Sequence, residues 1–195
     1  MRISRSIAGL VLSLATCIPL QSYECSLLQN PDATALISFL AGRQPAESDP
    51  CIDEAFEALN KLLPTAVLSD NQVTVLIRFL SHRRQPSPAE QKSFLIHQSQ
   101  PYPAVTSLFL LGTKAARPLI AVLAEPERPQ FRENAVQAWT LIYRDHPKEG
   151  VRALAQAAAS ESDTQKANNL RDAAALVAHK CPIDMQQECE TELSR

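Results

Sequence analysis

Cysteine and histidine are the residues of this chain whose side chains could do chemistry. Five cysteines and four histidines occur among the 195 residues. Thiolates and imidazoles bind zinc when they recur at short, regular spacings. His179, Cys181 and Cys189 give the spacings H-x-C and C-x7-C, which match no common zinc pattern. The sequence therefore predicts no metal site and no cofactor, and it favours disulfides instead.

The cysteines other than Cys17 form two couples, one near each end of the chain. In an oxidising compartment an even number of cysteines indicates disulfides, although four cysteines permit three pairings. We predict Cys25–Cys51, which would attach the N-terminal segment to the first helices, and Cys181–Cys189, which would close a small C-terminal loop.

The other polar residues show no catalytic pattern. The strings G-x-S-x-G, H-E-x-x-H, G-x-x-x-x-G-K-[ST] and G-x-G-x-x-G are all absent, and the histidines are scattered along the chain. Glu188, Glu190 and Glu192 are interpreted as solvated charges on a polar tail. We therefore predict no catalytic residues and a protein that is not an enzyme.

Residues 1–22 predict an export signal. MRISRS carries Arg2 and Arg5, and an apolar stretch of 14 residues follows. That length suits a signal-peptide core and is short for a transmembrane helix. We expect cleavage after residue 22 and a periplasmic or secreted chain, most naturally in a bacterial envelope. A lipid anchor at Cys17 is an alternative, because LATC resembles a bacterial lipobox.

The charge balance argues against two kinds of partner. Without residues 1–22 the chain keeps 17 basic and 21 acidic side chains, a formal charge of −4. Nucleic acids and anionic membranes attract proteins with a basic excess. We therefore expect no nucleic-acid binding, and no membrane insertion after signal cleavage.

The composition predicts helices for the rest of the chain. Hydrophobic residues make up 45% of the sequence, and many of them are Ala or Leu, which favour helices. Alternating patterns of β-branched and aromatic residues, which are typical of strands, are rare. Only four glycines occur, too few for many tight hairpin turns. The predicted fold class is all-α.

The sequence of one predicted helix occurs twice, with an offset of 40 residues. TALISFLAGRQP, residues 34–45, returns as TVLIRFLSHRRQP, residues 74–86. In both copies the apolar residues fall at helical spacing and form one stripe, so we expect them in the core. A third copy is ARPLIAVLAEP at 116–126, and a fourth, weaker one is VRALAQAAAS at 151–160. Alanine-rich partner helices of a second type are DEAFEALNKLLP, ENAVQAWTLIYR and NNLRDAAALVAH, starting at residues 53, 133 and 168.

The segment SLFLLGTKAARPLIAVLAEPERPQFRENAVQAWTLI, residues 107–142, resembles a HEAT-like repeat of the armadillo type. In that family Leu-Gly ends one helix and Ala-x-Pro-Leu-Ile-x-x-Leu forms the next; here Leu111-Gly112 and residues 116–123 match. The resemblance implies a right-handed α-solenoid of about four antiparallel helix pairs. Tetratricopeptide repeats are the main alternative, but they keep a stricter period of 34 residues.

On this interpretation residues 23–195 form a single domain. The second helix pair would contain an inserted short helix at 87–98, where Ser87, Pro88 and Glu90 are helix-start signals. The helix pairs are expected at about 31–64, 71–111, 115–145 and 148–180, followed by a short C-terminal tail at 181–195.

The resemblance implies a protein-interaction scaffold whose concave surface is lined by the second helix of each pair. The expected partner is another protein. Two alternatives stay open: a lyase-like HEAT-repeat protein or small-ligand binder, and a lipid-anchored structural envelope protein. The candidate partner-binding residues are the outward polar positions of those helices and a basic cluster after the repeated helix: Asn60, Lys61, His82, Arg83, Arg84, Gln137, Thr140, Arg144, Arg171 and Asp172.

Overall fold

The structure, a computed structural model, describes residue 25 and residues 31–45, 49–84, 101–125 and 129–194. Within these ranges every regular element is a helix, which confirms the predicted all-α class. The predicted signal peptide at 1–22 and the predicted inserted helix at 87–98 lie outside the described residues.

The described helices are numbered here in chain order. The α-helices are α1 Ala33–Ala41, α2 Pro50–Leu62, α3 Asp70–Arg78, α4 Pro103–Leu111, α5 Ala116–Ala124, α6 Pro129–Ile142, α7 Pro147–Ser160, α8 Thr164–His179 and α9 Gln186–Leu193. Gly112–Ala115 and Ile183–Met185 form short 3-10 helices, the first joining α4 to α5 and the second preceding α9.

Short polar side chains fix where several helices begin. The first N–H groups of a helix have no partner within the helix, so a preceding side-chain oxygen that accepts them stabilises the start. Asp32 accepts from the Ala35 N–H at 2.7 Å, and Asp163 accepts from the N–H groups of Gln165 and Lys166. These caps set the first turns of α1 and α8.

The helices contact one another in two rows. In the first row α1 packs against α3 and α3 against α5; in the second row α2 packs against α4, α4 against α6 and α6 against α8. Consecutive helices also connect the rows, since α1 contacts α2, α3 contacts α4 and α5 contacts α6. Near the C-terminus α8 packs against both α7 and α5.

The core lies between the two rows and contains the apolar stripe of the repeated helix. Leu36, Leu76 and Leu119 occupy the same position in three copies, and each is at most 1% exposed. Trp139 on α6 is also fully buried. The repeated residues are therefore packing residues.

Gly112 separates two apolar helices. Its φ of +61° lies in the left-handed region, which a residue without Cβ adopts at little cost. The helical segment Pro103–Ala124 is long and apolar enough to cross a membrane by length and composition alone. A buried core helix passes the same test, and both halves of this segment pack against other helices: α4 on α2 and α6, and α5 on α3 and α8.

Both predicted cysteine pairs lie at disulfide geometry. The Cα atoms are 5.5 Å apart in Cys25–Cys51 and 6.6 Å apart in Cys181–Cys189, within the range that a disulfide spans. The first bond attaches residue 25 to the start of α2, and the second joins the end of α8 to α9.

The C-terminal segment differs from the prediction of a solvated tail. α9 packs against α7 and α8, and Glu192 is only 4% exposed. The Arg152 guanidinium donates to both Glu192 carboxylate oxygens, at 2.8 and 3.0 Å, and Lys148 pairs with Glu188 one turn earlier. Both pairs join residues 40 apart, the offset that also relates α1 to α3. The tail was misjudged because only two of the eight α9 residues, Cys189 and Leu193, are apolar.

We expect Glu192→Gln to loosen α9, because a neutral amide cannot replace the charge-assisted pair with Arg152. Amide hydrogen exchange in α9 should speed up by roughly two- to fivefold, the range for a partly exposed ion pair. Glu190→Gln is the matched control, since Glu190 is exposed on the same helix. Unchanged exchange in the Glu192→Gln variant would contradict this role.

Gly150 of α7 lies close to the end of α6. The Trp139 indole N–H donates to the Gly150 carbonyl at 3.1 Å. A Cβ atom at Gly150 would lie 2.8 Å from Cβ of Tyr143 and 3.3 Å from Nε1 of Trp139. The contact therefore requires glycine for its space.

We expect Gly150→Ala to lower the free energy of unfolding by about 1–3 kcal/mol, the usual cost of overpacking, although alanine favours helices. Urea denaturation measures this change. Gly42→Ala is the control, because the nearest atom to its added Cβ would be the Phe39 carbonyl oxygen at 3.6 Å. Equal losses in both variants would refute the steric explanation.

Candidate functional site

The N-terminal candidate residues lie on α2. Asn60 is half-buried, and its Oδ1 accepts a hydrogen bond from the Ser107 hydroxyl at 2.6 Å. That bond joins α2 to α4. Lys61 is exposed and pairs with Glu57 one turn earlier, at 3.2 Å. Lys61 therefore lies on the outer surface, whereas Asn60 also connects two helices of the second row.

The candidates on α6 reach solvent to different extents. Gln137 and Thr140 are half-buried, and the Thr140 hydroxyl donates to the Val136 carbonyl of its own helix. Arg144 is exposed just after the end of α6. Its guanidinium carbon lies 5.7 Å from the centre of the Phe109 ring, a cation–π contact that joins α6 to α4.

The candidates on α8 are both exposed. Arg171 donates to the Asn168 side chain at 2.7 Å. The Asp172 carboxylate lies 3.9 Å from the Arg132 guanidinium, which pairs α8 with α6. Because α6 and α8 are neighbours in the second row, the structure places Arg144, just after α6, on an element next to the helix that carries Arg171 and Asp172. The α2 candidates are separated from them by α4.

His82 differs from its predicted place on a basic surface patch. It is 5% exposed, and both ring nitrogens are engaged: Nδ1 lies 3.1 Å from the Pro45 carbonyl oxygen and Nε2 lies 2.8 Å from an Asp53 carboxylate oxygen. The rings of Phe56 and Phe79 cover it, with centroids at 6.4 and 6.1 Å. In this conformation His82 is a core residue that a partner cannot reach.

Arginines cluster around the C-terminal ends of α1 and α3. Arg83 is exposed, and the backbone N–H of Arg84 donates to the Pro101 carbonyl at 2.8 Å. Arg78 donates to the Arg43 carbonyl at 3.4 Å, which adds two arginines that the sequence analysis did not select. Cations at helix C-termini complement the helix dipole, so part of this cluster has a structural role.

A pair of asparagine contacts, which the sequence analysis missed, joins second-row helices to the ends of first-row helices. The Asn134 amide on α6 donates to the Leu80 carbonyl beyond α3 at 2.6 Å, and the Asn169 amide on α8 donates to the Ala124 carbonyl of α5 at 2.7 Å. Both asparagines are buried. Each contact therefore satisfies a carbonyl that has no partner within its own helix.

The same asparagines are oriented by a glutamine one turn earlier. The Gln130 amide donates to Asn134 Oδ1 at 3.2 Å, and the Gln165 amide donates to Asn169 Oδ1 at 3.1 Å. The pattern Q-x3-N recurs with an offset of 35 residues. That recurrence is the sequence pattern that could have indicated the two asparagine contacts.

Among the described residues no group of three or more His, Cys, Asp or Glu side chains could hold a metal ion. Comparison of the chain with protein-family models, curated proteins and solved structures returned no match. The interpretation of the site therefore depends on the sequence pattern and on the helix contacts.

We expect Asn169→Ala to lower the free energy of unfolding by about 1–3 kcal/mol, because the buried Ala124 carbonyl loses its donor. Asn168→Ala is the matched control, since Asn168 is exposed on the same turn. Urea denaturation of both variants compares the two positions. A similar small change in both would show that the buried amide contributes little.

Proposed function

We propose that the protein is an exported, non-catalytic α-solenoid of about four HEAT-like helix pairs that binds another protein. The observation that supports this proposal most is the order of contacts in the second row, α2 to α4 to α6 to α8. Neighbour-to-neighbour stacking of this kind creates one extended face, which is the binding surface of helical-repeat proteins.

Equivalent contacts at successive positions support a repeat architecture. Ala55 and Ala135 lie on α2 and α6, 80 residues apart, and both are fully buried. Small side chains at matching places let neighbouring helices approach closely. The two asparagine contacts repeat in the same manner on α6 and α8.

The two disulfides support export. Disulfides form and persist in oxidising compartments, such as the periplasm or the extracellular medium. Cys51, Cys181 and Cys189 are each at most 7% exposed, so the bonds are built into the packing. The two buried disulfides are consistent with export, which the predicted signal peptide at the N-terminus also indicates.

The C-terminal half of the second row offers the most suitable contact residues. Arg144 just after α6 and Arg171 on α8 expose cationic groups, and Leu176 on α8 is 47% exposed. Arginine contributes strongly to protein interfaces because it combines charge, planarity and an apolar stem. A partner surface with carboxylates around an apolar residue would complement these three side chains.

To test this proposal, the oxidised protein is incubated with the native envelope fraction and cross-linked, and the captured proteins are quantified by mass spectrometry. We expect Arg144→Glu combined with Arg171→Glu to reduce capture of the specific partner at least tenfold, through charge reversal.

Arg117→Glu is the matched control, because Arg117 is 90% exposed on α5, a first-row helix. Its capture should equal that of the wild type. Equal capture by all three proteins, or equal loss in the control, would contradict binding at this face.

A further inference from the structure

Three elements of the N-terminal half meet at one buried imidazole. Pro45 belongs to the segment after α1, Asp53 lies in the first turns of α2, and His82 follows α3. The ring of His82 contacts the first two through hydrogen bonds of 3.1 and 2.8 Å. We call this set of three residues the His82 junction.

Both partners of the His82 ring are acceptors. A backbone carbonyl and a carboxylate each require an N–H donor, and a neutral imidazole carries only one N–H. Only the imidazolium form donates to both. The contact with Asp53 is then charge-assisted, which is the stronger type of hydrogen bond.

We propose that the His82 junction is a protonation-dependent connection, in which the ring loses its hydrogen bond to the Pro45 carbonyl when it loses a proton. The neutral ring would keep its remaining N–H on the Asp53 carboxylate, because an anion is the better acceptor. The Pro45 carbonyl would then face a ring nitrogen lone pair. Loss of that hydrogen bond weakens the attachment of residues 42–45, which the Arg78 and Asp49 contacts of Arg43 still hold, and it leaves α2 and α3 connected.

The surroundings of the ring support this order of events. Burial lowers the pKa of His82, but the hydrogen bonds to Asp53 and to the Pro45 carbonyl outweigh burial and raise the pKa above its usual value of 6.5. A raised pKa in the folded state means that the added stability is complete below the unfolded-state value. That stability is lost as the pH rises through the folded-state value.

Other charged groups also lie on the elements around the junction. Arg43 and Asp49 pair with each other at 3.5 Å, and Arg78 donates to the Arg43 carbonyl. Arg83 and Arg84 follow the histidine directly, and α4 contributes no Asp, Glu, Lys, Arg or His. Histidine is the side-chain type whose ordinary pKa lies closest to this pH range, so we assign the expected response to His82.

The test combines an NMR titration of the wild-type His82 ring with urea unfolding from pH 5.5 to 9. We expect the ring to titrate above 6.5 and the Pro45 carbonyl carbon shift to follow the same curve. Relative to His82→Gln, the wild-type unfolding constant should increase with pH by ten raised to the difference between the folded and unfolded pKa values.

Two variants complete the design. His146→Gln is the matched control at an exposed histidine, and it should retain the wild-type pH dependence. Asp53→Asn should lower the pKa of the His82 ring. The proposal is overturned if the wild-type ring titrates at or below 6.5, a measurement that needs no variant to fold. It is also overturned if the Pro45 shift does not follow the ring, or if His82→Gln keeps the wild-type pH dependence. The proposal does not depend on the identity of any binding partner.

Discussion

Helix ends that become covered by other helices need side-chain donors, and the packing of this protein depends on meeting that need. The last carbonyls of a helix have no partner within it, and a covered carbonyl without a donor is costly. Asn134 and Asn169 supply donors at the ends of α3 and α5. After α1, Arg78 and His82 do so instead. Each first-row end is thereby hydrogen-bonded to a side chain from another part of the chain. These bonds fix the relative position of the two rows, which apolar packing alone would leave less specific.

Much of the fold was predictable because it depends on local periodicity. The stripe that contains Leu36 and Leu76 follows from helical spacing alone, and the cysteine pairs followed from their positions near the two ends. α9 was missed because its burial comes from Cys189 and from ion pairs with α7, which an apolar-stripe criterion does not detect. A contact between Arg152 and Glu192 is visible only after the helices are placed.

The candidate site was harder to predict, because polarity on a helix face has more than one cause. His82 looks like part of a basic patch in the sequence, yet Asp53 and Pro45 hold it in the core. The Asn60 side chain likewise accepts a hydrogen bond from Ser107 on the neighbouring helix α4. Arg171 remains a surface residue, and its proposed role requires a binding measurement. The asparagine contacts were detectable only as a recurring Q-x3-N pattern, whose meaning depends on the carbonyls that it reaches.

The two disulfides have a consequence for how the structure would first open. In a linear row of helices the outermost elements have neighbours on one side only, so they normally fray first. Here covalent bonds fasten α2 at one side and connect α8 to α9 at the other. Opening would still begin at the ends, but there as linked units: residue 25 stays with α2, and α9 stays with α8, even after either end has separated from the row.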